Sequence, residues 1–546
     1  MNNKNKRFQI WLPTLFAILF IIGVFVGTEL DNNAPFVSVS PASENQYKIG
    51  SGNGKIEEIL RYVEARYVDD VEEKELMEDA INRVIQELDP HSNYIPSEQL
   101  LAINEQLEGN FDGIGVEFMN LEDTIVIISP LAGGPSEAAG IIAGDKIISV
   151  EDTIVAGIGK DTDEVVEYLR GEKGTKVRVG IKRGKEKKLR QITIVRDEIP
   201  INSVDVAYML DEKTAYIKVN RFSANTYEEF MLSMEDLIEK EGMKDIIIDV
   251  RHNPGGYLQQ ATNILSQFFD ERGKLLVYTE GRTVKRTDYK TTGRTFFDVG
   301  NIAVLIDEGS ASASEIVAGA IQDLDRGIVV GRRSFGKGLV QEQYDLQDGS
   351  ALRLTVARYY TPSGRSIQRS YEDLEGYDSD LIDRYNRGEL TNADRSMVAD
   401  SLKFYTRRGR VVYGGGGISP DIFVPIDTLL LSEKYAQLSQ HLPIFTYRYV
   451  DENRANLEDK NINQLAVSDE TFEEFLLYAA QEGVDINGSF SDEMKAAIRH
   501  SLNARIAKQF HNEAGFYQVW NEKDEAVQTA LDALKQKDPL KLQARN

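Results

Sequence analysis

Ile302-Ala303-Val304-Leu305-Ile306 runs directly into Asp307-Glu308-Gly309-Ser310-Ala311-Ser312-Ala313-Ser314-Glu315, and a helix-patterned stretch follows over residues 316–324. A second junction upstream has the same build. There, Ile246-Ile247-Ile248-Asp249-Val250 leads into Arg251-His252-Asn253-Pro254-Gly255-Gly256 and then into a helical stretch around residues 261–269. A further apolar run, Ile328-Val329-Val330, comes after the first junction. Strands this continuously apolar are buried on both faces, and their alternation with helices implies a parallel sheet with a covering layer on each side. Sites in such sheets form at the carboxyl ends of the strands, where both turns fall. The spacing therefore predicts an α/β core over residues 199–427.

Outward from that core the periodicity changes. Residues 109–198 carry short β-like runs broken by glycine turns, for example Thr124-Ile125-Val126-Ile127-Ile128 and Lys176-Val177-Arg178-Val179. Residues 55–108 have helical spacing, with Ile59, Leu60 and Val63 and then Leu76, Ala80, Ile81, Val84 and Leu88, interrupted at Asp89-Pro90-His91. Residues 428–546 are again helical, with Phe472, Phe475 and Leu476 on one face and Ala526, Ala530 and Leu534 on another. The expected class is multidomain α/β, with a helical N-terminal segment and a helical C-terminal extension. A length of 546 residues suits three or four domains.

At the N-terminus, Lys4, Lys6 and Arg7 precede an apolar run over about residues 8–27, and Glu29 and Asp31 follow it. A run of that length spans a bilayer as a helix, and the basic flank stays in the cytoplasm. Residues 1–30 are thus expected to be an uncleaved single-pass anchor in the cytoplasmic membrane, joined by a linker over 31–54 to an extracytoplasmic (periplasmic) body. The alternative is a signal peptide removed on secretion. A net charge of −25 argues against nucleic acid as a partner. The chain has no cysteine, so disulfides and thiolate chemistry are excluded, and its five histidines are scattered. Neither a metal nor a cofactor is expected.

Three features occur in order between Gly109 and Glu198. Gly113-Ile114-Gly115-Val116 is a glycine-apolar loop entering a strand. Pro135-Ser136-Glu137-Ala138-Ala139-Gly140-Ile141 is a short helix with a glycine stop. Gly144-Asp145-Lys146-Ile147-Ile148-Ser149-Val150 is a turn into another strand. The assembly resembles a PDZ domain, which implies that Gly113, Ile114, Gly115 and Val116 receive a C-terminal carboxylate while the tail adds as a strand. Asp152-Thr153 departs from the usual Asn-Gly or Asp-Gly turn, so a different local turn is expected there.

In the core, Ser312 followed by Glu315 is also what a helix capping box looks like, and Lys337 in Phe335-Gly336-Lys337-Gly338 alone would be a solvated loop lysine. The stretch Gly331-Arg332-Arg333-Ser334-Phe335-Gly336-Lys337 has phosphate-loop spacing. The following Gly338 and the strand-like Leu339-Val340-Gln341-Glu342-Gln343-Tyr344 do not continue as that motif requires.

Taken in order, the PDZ-like module, Asn253-Pro254-Gly255-Gly256, the run Ser310–Glu315, Phe335-Gly336-Lys337-Gly338 and Thr361-Pro362-Ser363-Gly364-Arg365-Ser366-Ile367-Gln368 resemble the C-terminal processing, or tail-specific, serine peptidases. The resemblance covers about residues 56–427. It implies a crotonase/Clp-protease-like α/β peptidase core. It also implies Ser312 as nucleophile, Lys337 as general base, Gln341 holding the lysine, and the amides of Gly256 and Ala313 as an oxyanion hole. The choice of Ser312 over Ser310 or Ser314 rests on the resemblance.

An ordinary lysine has a pKa of about 10.4, so about one in 2,500 is neutral at pH 7. A working base needs that value lowered by roughly 3 pH units, about 4 kcal/mol, through burial and nearby dipoles. The expected partners are protein substrates with apolar C-terminal tails and the membrane, with a homo-oligomer or an adaptor left open. His252 is the rival base. An inactive membrane-tethered PDZ scaffold or chaperone is the rival function. Residues 369–413 exceed the family pattern, and a lid, a dimer contact and a solvated excursion all stay open for them.

Overall fold

The computed structural model describes residues 54–541 except 132, 185, 394–401 and 487–489. The anchor expected over residues 1–30 lies outside the described residues. Among the described ones no helix is long and apolar enough to cross a membrane. Two compact units divide the chain at Ala80. In the first, helix α1 (Lys55–Arg66) is followed by the start of α2 (Glu73–Gln86).

The second unit begins within α2. The expected helical segment is then interrupted by a strand, β1 (Asn93–Ile95), before α3 (Ser97–Glu108). Local spacing did not show β1, because it exists by pairing with Ala351, Leu352 and Arg353, far along the chain. An antiparallel ribbon of Asn110–Gly113 with Asp197–Pro200 brackets the next module. There β2 (Val116–Asn120), β3 (Ile125–Pro130), β4 (Lys146–Val150), β5 (Lys176–Lys182) and β6 (Arg190–Val195) form an antiparallel sheet in that order, with β2 at the edge. Helix α4 (Thr162–Leu169) closes its core with Val165 and Leu169 against Ile125, Ile147 and Val179. The turn after β4 uses Glu151 with φ +52°, and Thr153 and Ile154 pair back onto Val150 and Ser149.

The central sheet has six strands: β7 (Val204–Met209), β8 (Thr214–Val219), β9 (Asp245–Asp249), β12 (Ile302–Ile306), β13 (Ile328–Gly331) and β16 (Ile422–Phe423). All neighbours are parallel except β7 with β8. Both strands read from the two junctions are present, each buried along its whole length. On one face lie α5 (Thr226–Glu239), α6 (Leu258–Ser266) and α7 (Ala313–Asp323), whose Phe230, Leu265 and Val317 join the core with Ile248 and Val304. Beside them stands a second sheet of β10 (Leu275–Glu280), β11 (Thr287–Lys290), β14 (Leu339–Asp345), β15 (Ala351–Tyr360) and β1.

The opposite face is covered by the C-terminal extension. Helices α8 (Leu442–Leu457) and α9 (Asp469–Gln481) pack together, with Phe472, Phe475 and Leu476 buried. They are followed by α10 (Asp492–Trp520) and α11 (Glu525–Leu534). Ala526, Ala530 and Leu534 of α11 lie against Ile247, Leu305 and Val330, so the extension completes the second layer that a parallel sheet needs. The extension also meets the β2–β3 hairpin, where Tyr447 packs on Leu121 and Val126 and Arg448 pairs with Glu122 at 2.7 Å.

Candidate active site

Both strand-to-helix turns end at the same cleft, about 1210 Å³ in volume, which is lined by Ser312, Lys337, Gln341, Gly255, Gly256 and His252. Leu107 of α3, Tyr257, Tyr289 and Leu339 supply apolar wall.

The three serines that the sequence could not rank physically occupy different environments. Ser310 is fully buried and its hydroxyl donates to Val250 O at 2.8 Å. Ser314 is fully buried and donates to Asn253 O at 2.9 Å. Those two hydroxyls rivet one turn to the other, and Ser312 alone of the three faces the cleft. Ser312 has φ +53° and ψ −112°, a conformation that costs a non-glycine residue about 1–3 kcal/mol and persists only when its surroundings over-determine it.

Glu315 supplies part of that constraint. The carboxylate is completely buried and accepts four hydrogen bonds. Oε2 takes the N–H groups of Ser312 and Lys337, each at 2.9 Å, and Oε1 takes Ser334 Oγ at 2.5 Å and the Gly336 N–H at 2.8 Å. Burial pushes this carboxyl above its usual range, and the four donors pull it back toward the charged form. The spacing of Ser312 and Glu315 indicated a helix cap. In the folded chain the same glutamate also fixes the lysine turn.

Lys337 stands in the cleft with Nζ donating to Gln341 Oε1 at 3.0 Å. Gln341 is oriented in turn by donating Nε2–H to His91 O at 2.6 Å. Burial depresses the Lys337 pKa, the charge of Arg353 depresses it further, and Asp89 and Glu315 oppose this. His91, from the segment before β1, has its own pKa pushed down to about 4 by burial and by the Lys337 charge. Its Nε2 lies 2.7 Å from Tyr377 Oη. Neither His91 nor Asp89 was a candidate from sequence, because only the tertiary pairing of β1 brings them here.

The glycine turn approaches from the other side. Gly255 has φ +100° and Gly256 φ +139°, both in the region that favours glycine. A Cβ on Gly255 would lie 2.7 Å from Ser312 Cβ and 2.9 Å from Ala313 N, and one on Gly256 would lie 2.2 Å from Phe222 O. Among the described residues no protein acceptor engages the N–H of Gly256 or of Ala313. Asn253 holds the turn by donating Nδ2–H to Val219 O and accepting the Gly255 N–H, both at 2.8 Å.

His252 also opens on the cleft, with its side chain 79% exposed and Nδ1 2.9 Å from Asp307 Oδ2. Its contact with the Asp307 carboxylate raises its pKa.

Arg369, Arg384 and Glu389, from the described part of the 369–413 segment, brace the lysine turn. Glu389 pairs with Arg333 at 2.6 Å and Arg384 at 3.1 Å, and Arg384 donates to Arg333 O at 2.6 Å. Arg369 lies over the rings of Phe335 and Tyr377. In the β2–β6 module, the Ile114 carbonyl accepts from the N–H and hydroxyl of Ser136, and the Ile114 side chain is buried in that module's own core. Val116 opens the edge strand β2.

Comparison with known proteins agrees with this architecture. Residues 213–380 match the model of peptidase family S41, residues 113–194 match the PDZ domain, and residues 435–512 match a family of unknown function. A carboxy-terminal-processing protease of Bartonella bacilliformis is 35% identical over 398 residues, covering 70% of this chain and 89% of the relative. A probable CtpA-like serine protease of Staphylococcus aureus is 33% identical over 371 residues, covering 67% and 72%. Among solved structures, the photosystem II D1 C-terminal processing protease is 29% identical over 57% of this chain and 89% of its own, with a TM-score of 0.32. The class is a serine peptidase that carries a PDZ domain. Within that class, the chain belongs to the carboxy-terminal-processing proteases of peptidase family S41.

Proposed function

We propose that this protease is a Ser–Lys endopeptidase acting on extracytoplasmic proteins whose free C-terminal tails its PDZ domain captures. The observation that carries this reading is the state of Lys337: partly buried in the Ser312 cleft, its pKa depressed, and its Nζ paired with the neutral amide oxygen of Gln341. Neutral Nζ takes the proton of Ser312 Oγ as the oxygen attacks the scissile carbonyl. The Gly256 and Ala313 amides, beside the N-terminus of α7, stabilise the oxyanion. Nζ then passes its proton to the leaving amine, and water hydrolyses the acyl-enzyme by the same route.

In the PDZ domain the tail adds to the free edge of β2, with its carboxylate at the Gly113–Val116 loop. The apolar run over residues 8–27 supports a single-pass anchor with the body outside the cytoplasm. Protease added to spheroplasts is expected to degrade the body, and protection until lysis would overturn that topology.

The test of the chemistry is peptide cleavage by Ser312→Ala, Lys337→Ala and His252→Ala. The first two are expected to abolish turnover with folding retained, and the third to cost much less. The Asp307-oriented imidazole is the one specific rival. Normal cleavage by Lys337→Ala with none by His252→Ala would assign the base to His252.

A further inference from the structure

The backbones of Ser312 and Lys337 are joined twice. Glu315 joins their N–H groups, and a side chain from a different sheet joins their carbonyls. Tyr359, next to last in β15, is 1% exposed. Its hydroxyl lies 3.1 Å from Ser312 O and 2.9 Å from Lys337 O. One phenol proton is thus shared between two acceptors that belong to the candidate nucleophile and the candidate base. The Tyr359 N–H donates to Gly338 O at 3.0 Å, so the tyrosine grips the lysine turn through both backbone and side chain.

The consequence follows from peptide geometry. The Ser312 carbonyl and the Ala313 N–H belong to one planar trans unit and point in opposite directions. A donor fixed on the carbonyl therefore aims the amide. The Ser312 carbonyl also accepts the Ile316 N–H at 3.0 Å, as the first bond of α7. The helix sets the tilt of that peptide, and the tyrosine ties it to the lysine turn. A burial this complete holds the phenol in its protonated, donating form, well above its ordinary pKa.

We propose that Tyr359 is a positioning residue of the peptidase, whose hydroxyl holds the peptide presenting the Ala313 amide in register with Lys337. This rests on the Ser–Lys reading of the site. A site-forming group displaced by even 1 Å costs on the order of 100-fold in rate. A hydroxyl bridging oxyanion donor and base therefore acts on turnover rather than on substrate capture.

The experiment uses the full chain and compares wild type with Tyr359→Phe for kcat and KM on a peptide substrate, with Ser312→Ala and Lys337→Ala run in parallel. The expected result is a fall in kcat of about 10- to 100-fold with KM within about twofold. Replacing Tyr359 by 4-aminophenylalanine, which keeps N–H donors at the same place, should recover most of the loss. Should Tyr359→Phe fail to fold, 4-fluorophenylalanine fills the site without a donor and takes its place. A kcat within twofold of wild type, a change confined to KM, or no recovery by the amino variant would overturn the proposal. If Ser312→Ala and Lys337→Ala are inactive while the donor-less variant is fully active, only the role of Tyr359 fails. If Lys337→Ala is active, the Ser–Lys reading itself fails.

Discussion

Replacing Glu315 by glutamine tests whether the buried carboxylate organises the site. The two side chains have the same shape, so packing is preserved and only charge and one acceptor are lost. The glutamine can leave its oxygen on the Ser312 and Lys337 amides and turn its NH₂ toward Ser334, whose hydroxyl can accept. Ser334 Oγ already accepts the Ile418 N–H at 2.6 Å and has a second lone pair to offer. The Gly336 N–H then faces a donor and stays buried without a partner. Losing its charge-assisted bond costs about 1.5–3 kcal/mol, and the unsatisfied buried group adds about 1–3 kcal/mol. Weakening of the three surviving bonds is offset by relief of the cost of burying a charge. The expected loss is roughly 3–5 kcal/mol. It is read as a lower urea midpoint at unchanged slope for the transition that includes the core. Because the retained oxygen still holds the Ser312 and Lys337 amides, the activity of the folded fraction should fall less than in Lys337→Ala. A midpoint shift worth less than about 1 kcal/mol would show that the four contacts do not act as described.

Three further outcomes follow. Gly255→Ala, whose Cβ would crowd Ser312 Cβ and Ala313 N, should lower kcat at least about 100-fold while the chain remains folded by circular dichroism; near-normal turnover would refute the close approach. On the proposed Ser–Lys chemistry Lys337 must be neutral to act, so kcat/KM should rise with pH through a midpoint below 10.5; removing a positive neighbour in Arg353→Met should move that midpoint upward, and no movement would remove Arg353 as a cause. His91 has a folded pKa of about 4 against an ordinary 6.5. Its contribution to stability should therefore be complete above about pH 6.5 and lost as pH falls through 4, amounting to at most about 3 kcal/mol. Thermal midpoints of wild type and His91→Phe should converge in pH dependence above 6.5 and diverge below it, and parallel curves throughout would contradict this.

How far the sequence reaches is set by the range over which its signals act. Ile302–Ile306 and residues 246–250 could be read as buried strands because continuous apolar runs are a local property. The glycines at 255 and 256 and the helix start at Ala313 were legible for the same reason, as were the helical faces of Phe472 and Ala530. The ordered motifs also sufficed to place the chain in its family.

The long-range partners of those motifs were legible only where the resemblance supplied them. Nothing local distinguishes Ser310, Ser312 and Ser314, three small polar residues at alternate positions. Their environments diverge only when the 251–256 turn docks and takes two of the hydroxyls. Tyr359 is 47 positions from Ser312, and His91 is 250 from Gln341. Hydrogen bonds across such separations leave no periodicity in the chain. For the 369–413 segment a lid, a dimer contact and a solvated excursion all stay open in the sequence, because it shows the charges but not whether they keep their water. Folding buries Arg384 and Glu389 against Arg333, and only that burial turns them into a brace for the lysine turn. The sequence by itself determined the strands and turns, since backbone preference and apolar spacing act over a few residues. The tertiary structure alone shows which polar groups lose water together, and so that Glu315 and Tyr359 meet at the backbones of the Ser312 and Lys337 that the resemblance had named.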